Sequence, residues 1–130
     1  MDNILNKSLV LVVAFLLVPA ALAEDRKMNI LQVFDQFVMA NKAATKCMII
    51  DEEKLSSFNK NFSAVRLRAS EQIQSLKPEW SEKEAASILN KRSQDLDRNV
   101  EKVIEENGCS DRRIEDLLER FEMQAGLKFG

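Results

Sequence analysis

Two apolar stripes of similar length, separated by a short break, constrain the fold of this chain more than any other feature. Apolar residues recur at spacings of three and four from Leu55 to Leu76, and again from Ala85 to Ile104. This spacing places them on one face of an α-helix. Pro78 lies in the break and disfavours helical backbone at the residue before it. We therefore predict an antiparallel helical hairpin formed by residues 51–77 and 82–107.

Capping residues mark the ends of both helices of this hairpin. Asp51 is a favourable N-cap for the first, since its carboxylate can accept hydrogen bonds from free backbone N–H groups. Ser81 and Glu84 have the spacing of a capping box at the start of the second. Gly108 is well placed to end it with a positive φ.

The two stripes fit one alignment, and that alignment brings the two cysteines together. Facing residues of an antiparallel pair have a constant sum, and a sum of about 158 sets Phe58 against Val100. Cys47 and Cys109 then lie at the open end of the hairpin, although they played no part in choosing the alignment. We predict one intramolecular disulfide between them. Intermolecular or free thiols are the alternative, and a redox-active pair would need closer spacing or an acidified thiol.

Two more helices complete an all-α fold. Residues 25–45 carry apolar side chains over nearly half of a helix circumference, and a shorter stripe runs from Ser110 to Gly126. The chain has only three glycines and two prolines, which makes a turn-rich β fold improbable. The prediction is a single four-helix domain over residues 24–130.

The first 23 residues have the layout of a secretory signal peptide. A polar start with Lys7 precedes an apolar run over residues 9–18, and Ala21 and Ala23 supply the small residues of a cleavage site. An uncleaved membrane anchor is the alternative, although about 15 apolar residues fall short of the ~20 that span a bilayer. We expect a periplasmic or secreted protein that has no membrane association after signal cleavage.

Composition argues against most catalytic and metal-binding chemistry. The chain has no histidine, which removes Ser-His-Asp and Cys-His catalysis and the usual zinc ligands. The carboxylate pairs Glu52-Glu53 and Glu105-Glu106 lie near helix ends, where we expect them to be solvated. The net charge is −2, and basic and acidic residues are interspersed along the chain, so the sequence shows no basic patch of the kind that binds nucleic acid. We expect a non-enzymatic protein without cofactor, metal or nucleic-acid partner.

Three local features leave alternatives open. The broad apolar arc of the first helix either contacts two neighbouring helices or leaves a partner surface at Ile30, Val33 and Phe37. Arg92-Ser93 interrupts the stripe of the third helix, either as a snorkelling arginine with a small filler or as a polar break that loosens the hairpin. The glycosylation sequon at residues 61–63 falls on a helical core stripe, and we interpret it as coincidence.

Two functional hypotheses follow. The first is a protein-binding or adaptor module of the cell envelope that uses an apolar helical surface. The second is a stress holdase, in which acid protonates carboxylates, loosens the packing and exposes apolar surface while the disulfide limits unfolding.

Overall fold

The computed structural model describes residues 29–128 of the chain. These residues form α1 (Ile30–Cys47), α2 (Glu52–Leu76), α3 (Glu82–Asn107) and α4 (Arg112–Ala125), with no strand in this range. The predicted all-α, four-helix domain is confirmed. The predicted signal peptide over residues 1–23 lies outside the described residues.

The predicted helix caps of the hairpin are present. The side chain of Asp51 accepts a hydrogen bond from the Lys54 N–H at 2.8 Å. Ser81 and Glu84 form the reciprocal capping box, and Gly108 ends α3 with a φ of 83°, which a residue with a Cβ rarely adopts.

The first and last helices along the chain, α1 and α4, differ from the prediction at their ends. Asn29 caps α1 by accepting a hydrogen bond from the Leu31 N–H at 3.0 Å, so the predicted start at residue 25 falls outside the described part of the chain. At its other end α1 continues to Cys47, two residues beyond the prediction. Asp111 caps α4 in the same way, which moves its first residue to Arg112.

Helix α1 occupies the centre of the domain. It packs against all three other helices, whereas α3 and α4 lie on opposite sides of the α1–α2 pair and barely touch each other. Six of its residues are buried, namely Phe34, Phe37, Val38, Ala40, Ala43 and Ala44. The broad apolar arc of this helix is therefore explained by contact with several neighbours at once.

The helix directions follow from individual contacts. Phe34 of α1 packs against Phe62 of α2, with ring centroids 5.9 Å apart, and the two helices are antiparallel. Asp35 and, further along α1, Lys42 pair with Arg92 and then Glu101 of α3, and this order shows that the two helices are parallel. Both registers place Ile30, the first residue of α1, well short of the α2–α3 turn. At 1.5 Å per residue, α2 continues roughly 15 Å and α3 roughly 8 Å past the level of Ile30.

Phe58 and Val100, which the predicted alignment sets opposite each other, pack in different core clusters. The alignment itself agrees with the hydrogen bond between Arg66 of α2 and Asn90 of α3, whose residue numbers sum to 156. Phe58 belongs to the main core cluster and stacks on Phe121 of α4, whereas Val100 belongs to a second cluster with Ala43 and Ile114. The sequence-based pairing of Phe58 with Val100 assumed that only two helices meet there. In the structure, α1 and α4 supply the partners of these residues at this end of the bundle.

The predicted disulfide is confirmed. Cys47 at the end of α1 is bonded to Cys109, just after α3, with their Cα atoms 5.8 Å apart. The bond lies at the open end of the α2–α3 hairpin, because α2 begins only five residues after Cys47. It closes a sequence separation of 62 residues, which includes the whole of α2 and α3.

Polar side chains of α2 hold the end of α4. The Asn61 side chain, on a residue only 4% exposed, donates hydrogen bonds to the carbonyl oxygens of Gln124 at 2.8 Å and Leu127 at 2.7 Å. Ser57 donates to the carbonyl oxygen of Ala125 at 2.6 Å. These bonds satisfy carbonyls that a helix C-terminus otherwise leaves without partners. A buried, doubly hydrogen-bonded amide cannot accept a glycan in the folded chain, which agrees with the sequon being coincidental.

Candidate binding surface

The residues that sequence reasoning proposed as a partner surface lie at or inside the core. Phe37 is 1% exposed and packs against Phe58 and Phe62 of α2, so it is not on a free surface. Ile30 and Val33 are partly buried and pack against the same core cluster. The periodicity of α1 could not distinguish a helix with three neighbours from a helix with a spare face.

Arg92, which with Ser93 interrupts the apolar stripe of α3, makes a contact between two helices. The Arg92 Nε and Nη2 atoms donate to the two carboxylate oxygens of Asp35 at 2.5 and 2.7 Å, which gives a bidentate pair between α3 and α1. Ser93 is partly buried, and its hydroxyl has no hydrogen-bond partner in the described structure. Ser93 thus fits the role of small filler, while Arg92 makes an interhelical contact that sequence reasoning missed.

A concave groove lies between α2 and α3. It has a volume of about 450 Å³ and is open to solvent on one side. We call it the hairpin groove. The described residues that line it are Ser63, Arg66, Leu67, Ser70, Glu82, Lys83, Ala86 and Leu89.

Apolar side chains form the centre of the hairpin groove. Leu89 is 1% exposed and belongs to the core, and Leu67 beside it is 58% exposed. Ala86 is also exposed and lies one helical turn from Leu89. An apolar centre flanked by polar side chains is typical of surfaces that bind other molecules.

Comparison of this chain with protein-family models, curated protein sequences and solved structures finds no match.

Arg66 is held in a fixed position at one end of the hairpin groove. Its guanidinium carbon lies 5.3 Å from the ring centroids of both Phe34 and Phe62, and its Nη1 donates to the Asn90 side chain at 3.3 Å. Stacking on two aromatic rings restricts the guanidinium without neutralising its charge. Among residues 29–128, no carboxylate forms an ion pair with it.

A second cation lies at the other end of the groove. Lys83 is exposed in the first turn of α3 and forms no ion pair with the described carboxylates. Glu82, its neighbour, also lines the groove. The three charges leave the groove with a net positive charge of one, on a protein whose overall formal charge is −2.

Further exposed apolar residues surround the hairpin. Leu76 is 61% exposed at the end of α2, and Ile88 is 42% exposed on α3. Outside the hairpin, Ile49 in the α1–α2 loop and Met123 on α4 are exposed as single residues. Neither Leu76 nor Ile88 lines the groove, and single exposed apolar residues are common on protein surfaces, so Leu67 beside Leu89 is the more informative feature.

Sequence reasoning missed the hairpin groove because it followed only the core stripes. Leu67 and Ala86 lie off those stripes, on the side of each helix that the periodicity assigns to solvent. An apolar residue off the stripe is the signal that could have located the groove. Docking the two helices would also have been needed, since the two residues become neighbours only in the folded hairpin.

Outside the groove, three carboxyl groups at a helix end or between α1 and α3 have shifted pKa values. Hydrogen bonds from Arg113 lower the pKa of Asp111, the cap of α4, to about 2. A hydrogen bond from Lys42 of α1 lowers the pKa of Glu101 on α3. Burial raises the pKa of Asp97 on α3, against the opposing attraction of Lys42. The lowered pKa of Glu101 contributes stability that is lost as pH falls, so acid weakens its pair with Lys42, whereas the raised pKa of Asp97 acts in the opposite direction.

Residues 29–128 contain no cluster of three or more His, Cys, Asp or Glu side chains that could hold a metal ion. The carboxylate pairs Glu52-Glu53 and Glu105-Glu106 are exposed to solvent, as predicted. Within the same range, none of the helices combines the length and apolar character that spanning a bilayer requires.

Proposed function

We propose that this chain is an exported, non-enzymatic module that binds a protein partner through the α2–α3 hairpin. The observation that carries the proposal is the hairpin groove, where the 58% exposed Leu67 lies beside the buried Leu89. Removing an exposed leucine from water stabilises a complex by roughly 1–2 kcal/mol, at about 25 cal/mol per Å² of apolar area. A partner that covers the groove gains this contribution without rearranging the core.

Two features support export. The sequence begins with the layout of a secretory signal, and the described domain is closed by the disulfide between Cys47 and Cys109. Disulfides form and persist in oxidising compartments such as the periplasm or the extracellular space. Localisation is tested by fractionating the producing cells and sequencing the N-terminus of the purified protein, for which we expect Glu24.

Site-specific photocrosslinking tests the binding function. A photoreactive amino acid replaces Leu67 in the full-length gene, and the producing cells are irradiated. We expect a discrete adduct of defined mass, containing one partner protein. Met123, 66% exposed on α4, is the matched control position and is expected to give no such adduct. Equal adduct patterns from the two positions, or none from Leu67, would contradict the proposal.

A stress holdase is the second candidate, favoured by the ion pairs across the α1–α3 seam. Asp35 pairs with Arg92, and Glu101 pairs with Lys42, so acid removes the charge of one member of each pair. The disulfide would still hold the far end of the seam. This function requires dye-accessible apolar surface near pH 2–3 and suppression of client aggregation there. A chain that stays native and inactive at that pH excludes it.

A further inference from the structure

The charges of the hairpin groove identify the kind of partner that fits it. This inference rests on the proposed binding function and specifies the ligand of the same surface. We infer that the hairpin groove binds an amphipathic helix whose apolar face is bracketed by two acidic side chains about seven residues apart.

The shape of the groove favours a helix. Its walls are the antiparallel helices α2 and α3, and its apolar centre is formed by Leu67, Ala86 and Leu89. A third helix laid along two others buries its own apolar stripe against such a centre, as in other helix-in-groove complexes. The groove is open along one side, so the ligand can enter without opening the core.

The spacing of the cations sets the spacing of the acids. Arg66 of α2 hydrogen-bonds to Asn90 of α3, which fixes its level along the hairpin. Lys83 lies seven residues before Asn90, which corresponds to about 10 Å along the helix axis. Two acidic residues separated by seven positions on a bound helix are the same distance apart and share one face. Each can therefore reach one cation.

The state of the two cations supports an external acidic partner. Neither Arg66 nor Lys83 forms an ion pair with a carboxylate among the described residues. Other exposed cations such as Lys91 are also unpaired, but Arg66 and Lys83 are the two described cations that line the apolar centre of the groove. Arg66 is in addition held on two aromatic rings, so binding restricts it little further. Glu82 lies next to Lys83 and weakens the attraction at that end, which makes Arg66 the stronger anchor.

Defined peptides test this inference. An 18-residue helical peptide carries a leucine stripe flanked by two glutamates seven positions apart, and a second peptide has lysines at those two positions. Fluorescence anisotropy of each labelled peptide is measured against disulfide-bonded chain from Glu24 to Gly130 at low salt. We expect the glutamate peptide to bind at least fivefold more tightly, and Leu67→Asn to weaken its binding at least tenfold.

A charge reversal assigns the contact to Lys83. Lys83→Glu is expected to weaken binding of the glutamate peptide and to strengthen binding of a peptide with lysine at the matching position only. Lys91→Glu makes the same charge change on α3 outside the groove and is expected to leave both affinities within twofold. Circular dichroism confirms that each variant keeps its helix content.

Three results would overturn the inference. Equal binding of the two peptides, or no binding by either, excludes an acidic helical ligand. Self-association that depends on Leu67, measured by light scattering, assigns the groove to a second copy of the chain. If the Leu67 photocrosslink to a partner persists while both peptides fail, the binding function stands and only the ligand chemistry is wrong.

Discussion

Replacing Asn61 tests how the last helix is attached to the domain. The buried Asn61 amide donates to two carbonyl oxygens, those of Gln124 and Leu127, at 2.8 and 2.7 Å. Each lost hydrogen bond costs about 1 kcal/mol net, and a carbonyl left buried without a partner costs more. We therefore expect Asn61→Ala to lower the free energy of unfolding by about 2–3 kcal/mol. For a domain of this size the melting temperature would fall by about 10–20 °C.

Asn59 provides the matched control. It lies two residues earlier on α2 and is exposed, so Asn59→Ala makes the same change in helix propensity without removing a buried contact. Its effect on the free energy of unfolding should be within about 0.5 kcal/mol. The measurement is urea unfolding followed by circular dichroism. A difference below about 0.5 kcal/mol between the two variants would refute the attachment of α4 through Asn61.

A second substitution at the same residue adds a pH signature. Asn61→Asp places a carboxyl against two carbonyl oxygens, which favours its neutral form and raises its pKa in the folded state. A raised folded pKa contributes stability at pH values below the unfolded pKa of about 3.9, and this contribution is lost as pH rises through the folded pKa. The variant should therefore be less destabilised, relative to the unmodified protein, at pH 4 than at pH 7. Equal destabilisation at both pH values would show that the site is solvated.

Three further predictions concern the disulfide, an ion pair and a helix cap. Reduction of the bond between Cys47 and Cys109 should lower the free energy of unfolding by about 4 kcal/mol, as expected for a loop of this length and as measured by urea unfolding with and without reductant. Arg92→Gln should cost about 0.5–1 kcal/mol at low ionic strength, and a cost unchanged by 0.5 M NaCl would exclude an ion-pair contribution. The Asp111 carboxyl should titrate near pH 2 by NMR. Its lowered pKa contributes stability above about pH 3.9 that is lost as pH falls towards 2, and an acid limb unchanged in Asp111→Asn would contradict this assignment.

The fold could be predicted from sequence wherever one helix faces one neighbour. The stripes of α2 and α3, the capping box at Ser81 and the pairing of Cys47 with Cys109 are local or two-body features, and all are confirmed. The core partners of Phe58 and Val100 could not be predicted in the same way, because four helices meet at that end of the hairpin. A two-helix alignment contains no information about the side chains that the other two helices insert.

The candidate site was much harder to predict than the fold. The sequence predicted Phe37 as part of an apolar partner surface. In the structure it is buried in the core cluster that all four helices form. Leu67 and Ala86 are separated by 19 positions and become neighbours only in the folded hairpin. Arg66 gives no sign in sequence that it stacks on rings from two helices. A binding surface assembled across elements depends on tertiary geometry, which helical periodicity does not encode.

The central position of α1 has a consequence for the order in which the domain is assembled. Synthesis proceeds from the N-terminus, so the helix that needs every neighbour is the first of the four to be made, and the one that completes its cover is the last. Ala43, which packs in one cluster with Val100 and Ile114, stays without these native contacts until nearly the whole chain is available. The core around the first helix is therefore completed only when the last helix has been made.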